Sequence, residues 1–274
     1  MFLIRSAVRP APVSEAPGWA PPDAAVILVG HGSPHTAQPA LDLKRLAQAL
    51  REREGFAAVE VAMLNGSGER PAEVAVRLAA DRALVVPVMM CDGQTVRREI
   101  PKAFGAACRP RLHFCPPVGT HRGLAALIAR RASEAAHRIG VAAGEAALLL
   151  IAHGSLRHPG SEQATVLQTR RLAAMRVFRE VTSAYLEQPP RIDDTVRRIA
   201  PPVIAVGLFA AAGRHATHDV EGALAAAGRP DVTYLGPIGT DPGIATLIAS
   251  LVRACAGPAA AETAGSARLR PGTA

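Results

Sequence analysis

The second half of this 274-residue chain repeats the first, and this duplication limits the possible folds more than any other feature. Val29–Ser33 recurs 122 residues later as Ile151–Ser155, with the His-Gly-Ser turn retained. Pro117–Thr120 recurs 120 residues later as Pro237–Thr240, and a similar helical segment follows in both copies. Ordered matches at nearly constant spacing predict two copies of one structural unit.

Short apolar segments alternate with longer helical segments in each unit. Ala25–Val29 and Ala147–Ile151 each end at the His-Gly-Ser turn, as expected of a buried strand that leads into a loop. Strands that alternate with helices predict right-handed βαβ connections and a parallel sheet. In the second unit, the first helix is predicted over Glu162–Thr182 and the second strand over Ser183–Leu186.

The predicted architecture is an α/β protein with two tandem flavodoxin-like domains, each with a mainly parallel four-stranded sheet flanked by helices. The domains are predicted at residues 23–140 and 145–256. Residues 1–22 and 257–274 are rich in Ala, Gly and Pro and are predicted to be disordered tails.

Composition narrows the class of partner. Aromatic residues make up only 3% of the chain, which argues against a stacking platform for nucleic acid. The net charge of +8 comes mostly from scattered Arg residues, which suit exposed helix faces and leave an anionic small molecule as the best functional alternative. No apolar segment reaches the roughly 18–20 residues that span a bilayer. Since no secretory signal is recognised either, we expect a cytoplasmic protein that binds neither membrane nor nucleic acid.

Polar residues follow three predicted strands of the second unit. His153 follows the first strand, Glu187 the second and His215 the third. Because ligands of open parallel sheets bind beyond the carboxyl ends of the strands, we expect these side chains to meet in one crevice. Two imidazoles and a carboxylate suit a divalent first-row ion such as Co²⁺, Fe²⁺, Ni²⁺ or Zn²⁺. His218 would share a face with His215 if the segment is helical.

The first unit retains only part of this set. His31 matches the first histidine, but Asn65 and Thr95 occupy the positions of the carboxylate and of the second histidine. Arg98 occupies the position of His218. Asn and Thr are poor ligands for these ions, so the complete site is predicted in the second unit.

Other polar residues near the crevice have both a functional and a structural interpretation. Arg214 and Arg157 flank it and would meet ligand carboxylates, although surface exposure alone explains an Arg at either position. Ser155 is expected to shape the turn beside the ligand. For His31 the structural alternative is a hydrogen-bonding role within its loop, and for His218 it is a role as the cap of a helix.

Two longer segments carry a family resemblance. Together with the His-Gly-Ser turns, Ala184–Pro190 (AYLEQPP) and Phe209–Val220 (FAAAGRHATHDV) resemble the sirohydrochlorin cobaltochelatase/ferrochelatase family, the class II tetrapyrrole chelatases. The resemblance implies two flavodoxin-like halves around a cleft for a tetrapyrrole. It also implies that His153 and His215 bind the metal and that Glu187 is the active-site glutamate.

The implied reaction is insertion of Co²⁺, or alternatively Fe²⁺, into sirohydrochlorin in cobalamin or siroheme biosynthesis. The metal is then a substrate, and no permanently bound cofactor is expected. Glu187 or one of the histidines would accept the pyrrole protons. Metal binding requires neutral imidazoles, so activity is expected to fall at acidic pH. His31, Ser155, Arg214 and His218 are expected to contact the tetrapyrrole in a monomer or homodimer.

Two alternatives remain open from the residues alone. An incomplete first unit is compatible with a non-catalytic carrier of a tetrapyrrole or a metal. A His-Gly-Ser turn after a strand can also hold an anion at a helix N-terminus. A phosphatase would use such a turn, with Arg157 as the candidate cation.

Overall fold

The computed structural model describes residues 25–53, 56, 58–105, 111–156 and 159–257. The predicted tails, apart from Gly257, lie outside the described residues, and so does Arg157. Within the described part of the chain, no helix combines the length and the apolarity needed to cross a membrane.

The first half forms a parallel sheet of four strands in the order β2-β1-β3-β4. Its strands are β1 (Ala25–Gly30), β2 (Ala58–Met63), β3 (Arg82–Pro87) and β4 (Arg111–Phe114). Its helices are α1 (Gln38–Arg53), α2 (Pro71–Arg77), α3 (Ile100–Phe104) and α4 (Leu124–Arg138). A π-helical turn, Thr95–Glu99, leads directly into α3.

The second half repeats this sheet in the order β6-β5-β7-β8, again with all strands parallel. Its strands are β5 (Ala147–Ala152), β6 (Glu180–Tyr185), β7 (Val203–Gly207) and β8 (Val232–Pro237). Its helices are α5 (Gly160–Met175), α6 (Ile192–Arg198), α7 (Val220–Ala226) and α8 (Gly243–Ala256). A π-helical turn, His215–Asp219, leads directly into α7.

Two parallel four-stranded sheets flanked by helices confirm the predicted fold class. Every residue of β1 and of β5 is buried, because these inner strands are covered by helices on both faces. This double cover explains why both strands are apolar throughout instead of alternating. The limits of the two domains along the chain stay a prediction.

The prediction of a helix over Glu162–Thr182 is wrong in its second part. α5 ends at Met175, Arg176 adopts a left-handed conformation with φ of 54°, and β6 begins at Glu180. No Gly or Pro marks this boundary in the sequence. Tertiary contacts set it instead, because Phe178 is buried in the core and the following residues pair with β5.

The last helix of each half packs on the other half. α4 lies against β7, β8 and α5, whereas α8 lies against β3 and α1. Arg131 of α4 donates hydrogen bonds to the carbonyl groups of Leu235 and Pro237 in β8. One hydrophobic core therefore contains residues of both halves, while two smaller cores lie on the opposite faces of the sheets.

Candidate active site

A cleft lies between the two halves at the carboxyl ends of their strands. A cavity of about 730 Å³ is lined by the loops that follow β1, β5 and β7. A second cavity of about 470 Å³ is lined by the loops that follow β3, β5 and β7. Both cavities share His31, Val88, His153, Phe209 and Ala210, so they form one continuous cleft. Ligands of parallel α/β sheets bind in this position.

The His-Gly-Ser turn after β5 holds His153 beside the cleft. Gly154 has a φ of 74°, and a Cβ atom there would lie 2.8 Å from Gln188 Cγ, so the turn requires glycine. The Ser155 N–H donates a hydrogen bond to Gln188 Oε1 at 2.6 Å, which ties the turn to the loop after β6. Nδ1 of His153 lies 3.0 Å from the Gly154 carbonyl oxygen.

Backbone pairing beyond the end of β6 brings Glu187 next to His153. The Glu187 N–H donates to the His153 carbonyl at 3.0 Å. Its Oε1 lies 3.5 Å from His153 Nε2, and 56% of the Glu187 side chain is exposed. In the first half, the Asn65 N–H donates to the His31 carbonyl at 2.9 Å in the same way. The two loops therefore correspond, and Asn65 stands where the second half has its carboxylate.

His215 is the first residue of the π-helical turn after β7, and its ring contacts the ring of His153. The two rings are arranged edge to face, with centroids 4.7 Å apart and planes at 87°. Nδ1 of His215 lies 2.7 Å from Asp219 Oδ2, one turn further along the chain. The three residues predicted to follow separate strands therefore lie close together at the carboxyl ends of the strands of the second sheet: His153, Glu187 and His215.

Two hydrogen bonds from β8 and the turn after it hold the loop that carries His215. The Gly239 N–H donates to the Phe209 carbonyl at 2.9 Å, and a Cβ atom on Gly239 would lie 2.2 Å from the Ala210 carbonyl oxygen. The repeated Pro-Ile-Gly-Thr segment therefore needs its glycine for this close approach. The Tyr234 hydroxyl donates to the Ala216 carbonyl at 2.6 Å and so restrains the π-helical turn.

A contact from the first half also holds this loop. Asp42 of α1 is only 5% exposed, and its Oδ2 accepts a hydrogen bond from the Ala212 N–H at 2.9 Å. Its Oδ1 accepts from Gln38 at 2.7 Å and from Arg45 at 3.3 Å. The role of Asp42 could not be predicted from the sequence, because no local pattern shows which helix of one half faces which loop of the other.

The residues predicted to contact the substrate lie in different parts of the cleft. His31 lines both cavities, Arg214 the 730 Å³ cavity and Ser155 the 470 Å³ cavity. His218 lies instead in an adjoining depression of about 450 Å³, together with Glu187. This depression shares His215 and Asp219 with the 730 Å³ cavity. Contact of these residues with a tetrapyrrole stays a prediction.

Asp219 is the electrostatic centre of the loop around His215. Partial burial acts to raise its pKa, but hydrogen bonds from His215 and His218 and the charge of Arg214 outweigh that effect. The pKa of Asp219 is therefore below its ordinary value. Within the described residues, no group of three or more His, Cys, Asp or Glu side chains is placed so that it could hold a metal ion. Metal binding by His153, Glu187 and His215 thus stays a prediction.

Comparison with known protein families identifies the chain. The model of the CbiX family matches residues 25–135 and again residues 147–255, once in each half. The chain belongs to the CbiX family. The resemblance seen in the sequence is thereby confirmed, and each matched segment contains one of the two sheets.

Two relatives that match this chain are described as sirohydrochlorin cobaltochelatases. A probable sirohydrochlorin cobaltochelatase of Halobacterium salinarum is 25% identical over 260 residues, which cover 80% of this chain and 87% of that protein. The sirohydrochlorin cobaltochelatase of Methanopyrus kandleri is 37% identical over 87 residues, which cover 30% of this chain and 58% of that protein.

Solved structures of CbiX-type proteins share the fold. A structure of CbiX, the terminal enzyme for biosynthesis of siroheme in denitrifying bacteria, matches with a TM-score of 0.68 at 28% identity. The match covers 85% of this chain and 98% of that one. SirB from Bacillus subtilis, solved with Fe³⁺, matches with a TM-score of 0.71 at 19% identity, covering 85% of this chain and 96% of that one. At that identity, the likeness to SirB shows the fold alone.

Proposed function

We propose that this protein is a chelatase that inserts a divalent metal ion into sirohydrochlorin. One observation carries the proposal: His153, Glu187 and His215 meet beside a cleft between the halves of a CbiX-family chain. Metal insertion exchanges the inner pyrrole protons for the ion. The site must therefore bring metal ligands, a macrocycle and a proton acceptor close together. We favour Co²⁺, with Fe²⁺ as the alternative.

The two imidazoles and the carboxylate are the proposed ligands of the incoming ion. Nδ1 of His153 and Nδ1 of His215 are each engaged by an oxygen atom, so their Nε2 atoms are the nitrogens proposed to bind the metal. Glu187 would add an oxygen ligand. Three protein ligands leave a coordination position open, and the ion can be transferred through it to the pyrrole nitrogens.

The 730 Å³ cavity is the proposed position of the macrocycle. Its volume is within the range of small-molecule sites, about 300–1,000 Å³. Apolar side chains of the first half form one of its walls: Leu43, Leu46, Met63 and Val88. A conjugated ring can pack on them, while its peripheral carboxylates stay in water or meet Arg214, whose side chain is 74% exposed.

Glu187 is the proposed acceptor of the pyrrole protons. Its carboxylate is close to His153 and also open to solvent, so it can take up a proton beside the site and release it to water. When the ion moves to the macrocycle, the ligand lone pairs become available again. Insertion releases two pyrrole protons for each divalent ion. The freed Glu187 would accept one and a freed histidine the other, and both protons would then pass to water.

The test is to follow the absorption spectrum of metal-free sirohydrochlorin with the purified protein and either Co²⁺ or Fe²⁺. We expect insertion by the parent protein, a loss of at least about 100-fold in His215→Ala, and no change in the control His137→Ala. His137 is an exposed residue of α4. Equal rates for the parent and His215→Ala would refute the site. Tetrapyrrole binding by the parent without insertion would identify the protein as a carrier.

We further propose that the protein works in the cytoplasm as a metal-inserting lyase without a permanently bound cofactor, as a monomer or homodimer. Metal analysis of the purified protein and light scattering test the last two points. A stoichiometric metal that survives purification, or a larger assembly, would contradict them.

A further inference from the structure

Asp219 is placed to control the proton on the ring of His215. Its Oδ2 lies 2.7 Å from His215 Nδ1, the shortest hydrogen bond between side chains in the loop around His215. Arg214 and His218 contact the other oxygen, Oδ1, at 3.6 Å and 3.3 Å. Oδ2 is therefore engaged by His215, and the contacts to Oδ1 hold the carboxylate in its orientation.

This geometry favours one tautomer of a neutral His215 ring. An ionised carboxylate can only accept hydrogen bonds, so the shared proton belongs to Nδ1. A neutral imidazole carries one proton, and a proton fixed at Nδ1 leaves the lone pair at Nε2. A ring without this contact would distribute its proton between the two nitrogens and would rotate more freely.

We propose that Asp219 is a positioning residue that holds His215 in the Nδ1-protonated form, with Nε2 ready to bind the incoming metal ion. Metal binding by Nε2 rests on the function proposed above. The tautomer of His215 in the metal-free protein does not depend on that function. Carboxylates that orient metal-binding histidines typically strengthen metal affinity about 10–100-fold.

The other proposed histidine ligand depends on a different group. Nδ1 of His153 faces the Gly154 carbonyl, an acceptor that no side-chain substitution removes. Substitution of Asp219 should therefore change the tautomer of His215 and leave the tautomer of His153 as it is. This difference within one site separates a positioning role from a general loss of structure.

The first experiment uses nitrogen NMR of the metal-free protein at mildly alkaline pH, above the ordinary pKa of an imidazole. We expect the parent to show His215 protonated at Nδ1. In Asp219→Ala we expect a mixture of tautomers for His215, while His153 keeps the tautomer that it has in the parent. Glu221→Ala, an exposed carboxylate two residues further on, is the matched control and should resemble the parent. A parent His215 protonated at Nε2, or an unchanged tautomer in Asp219→Ala, would overturn the proposal.

The second experiment titrates the same proteins with Co²⁺ alone and monitors the visible absorption bands of the ion. We expect Asp219→Ala to bind Co²⁺ about 10–100-fold more weakly, and Asp219→Asn, which keeps the volume, to lie between it and the parent. Should Asp219→Ala not fold, Asp219→Asn gives the same comparison in both experiments. Equal Co²⁺ affinity in all variants would overturn the role of Asp219. Failure of the parent to insert metal would refute the proposed function but not the tautomer assignment.

Discussion

The loop after β3 and the loop after β7 have the same backbone conformation but carry different side chains. Each leads into a five-residue π-helical turn, and a glycine N–H holds each from below, Gly119 to the Met89 carbonyl and Gly239 to the Phe209 carbonyl, both at 2.9 Å. The first residue of the turn is Thr95 in one loop and His215 in the other. The duplicated backbone therefore tolerates exchange of the side chains that give one copy its chemistry.

The first half still contributes to the site of the second. Its apolar side chains form a wall of the cleft, and Asp42 holds the loop that carries His215. The difference between the halves is therefore a division of roles. One half supplies the proposed ligands, and the other supplies the wall and an anchor.

The strongest test of this comparison replaces one residue of the second half by the residue at the corresponding position of the first half. His215→Thr should reduce metal insertion by at least about 100-fold, because a nitrogen ligand is replaced by a poor oxygen ligand. Thr95→Val in the first half should have a much smaller effect. Insertion assays with sirohydrochlorin and Co²⁺ measure both. Comparable losses in the two variants would show that the halves share the chemistry.

The carboxylate gives the second test. Glu187→Asn, which copies Asn65 of the first half, should reduce insertion about 10–100-fold, because an oxygen ligand and the proposed proton acceptor become neutral. The converse change, Asn65→Glu, should not restore insertion in a Glu187→Asn background, since Thr95 provides no second histidine beside it. Restoration by Asn65→Glu would mean that the first half contains a working site.

Asp42 tests the anchoring role of the first half. Asp42→Ala leaves the Ala212 N–H unpaired, so we expect a loss of about 1–3 kcal/mol in the free energy of unfolding. Insertion should fall roughly tenfold, because the loop of His215 is less well positioned. Asp42→Asn retains an acceptor oxygen and should recover most of both. Arg45→Ala, which removes the exposed partner of Asp42, should cost about 0.5 kcal/mol or less in urea unfolding.

The last test concerns an ion pair of the second half, which affects stability and not the site. Arg229 Nε donates to Asp231 Oδ1 at 2.6 Å, and this hydrogen bond lowers the pKa of Asp231. In the first half, Arg111 occupies the position of Asp231. The stabilisation by Asp231 is present above the ordinary pKa of an Asp and is lost as the pH falls through the lowered pKa. Asp231→Asn should therefore destabilise the protein by about 1–2 kcal/mol at neutral pH. The difference from the parent should shrink in urea unfolding at acidic pH, and a constant difference would contradict the pair.

Much of this structure could be predicted from local patterns, and the exceptions depend on contacts between distant segments. The alternation of strands and helices within a repeat predicted both sheets. The rule that ligands bind beyond the carboxyl ends of parallel strands predicted that His153, Glu187 and His215 lie close together. The end of α5 was misjudged because burial of Phe178, not a Gly or Pro, sets it. Asp219 lies in the same motif as His215, but only the turn geometry shows that they touch.

The exchanged positions of α4 and α8 limit how the cleft can open. Each helix closes the core of the half to which it does not belong in chain order. A hinge motion that separates the halves would break the contacts of α4 with the second half and of α8 with the first half, and would expose the apolar surfaces that they bury. Separation of the two halves is therefore an unfavourable way to widen the cleft.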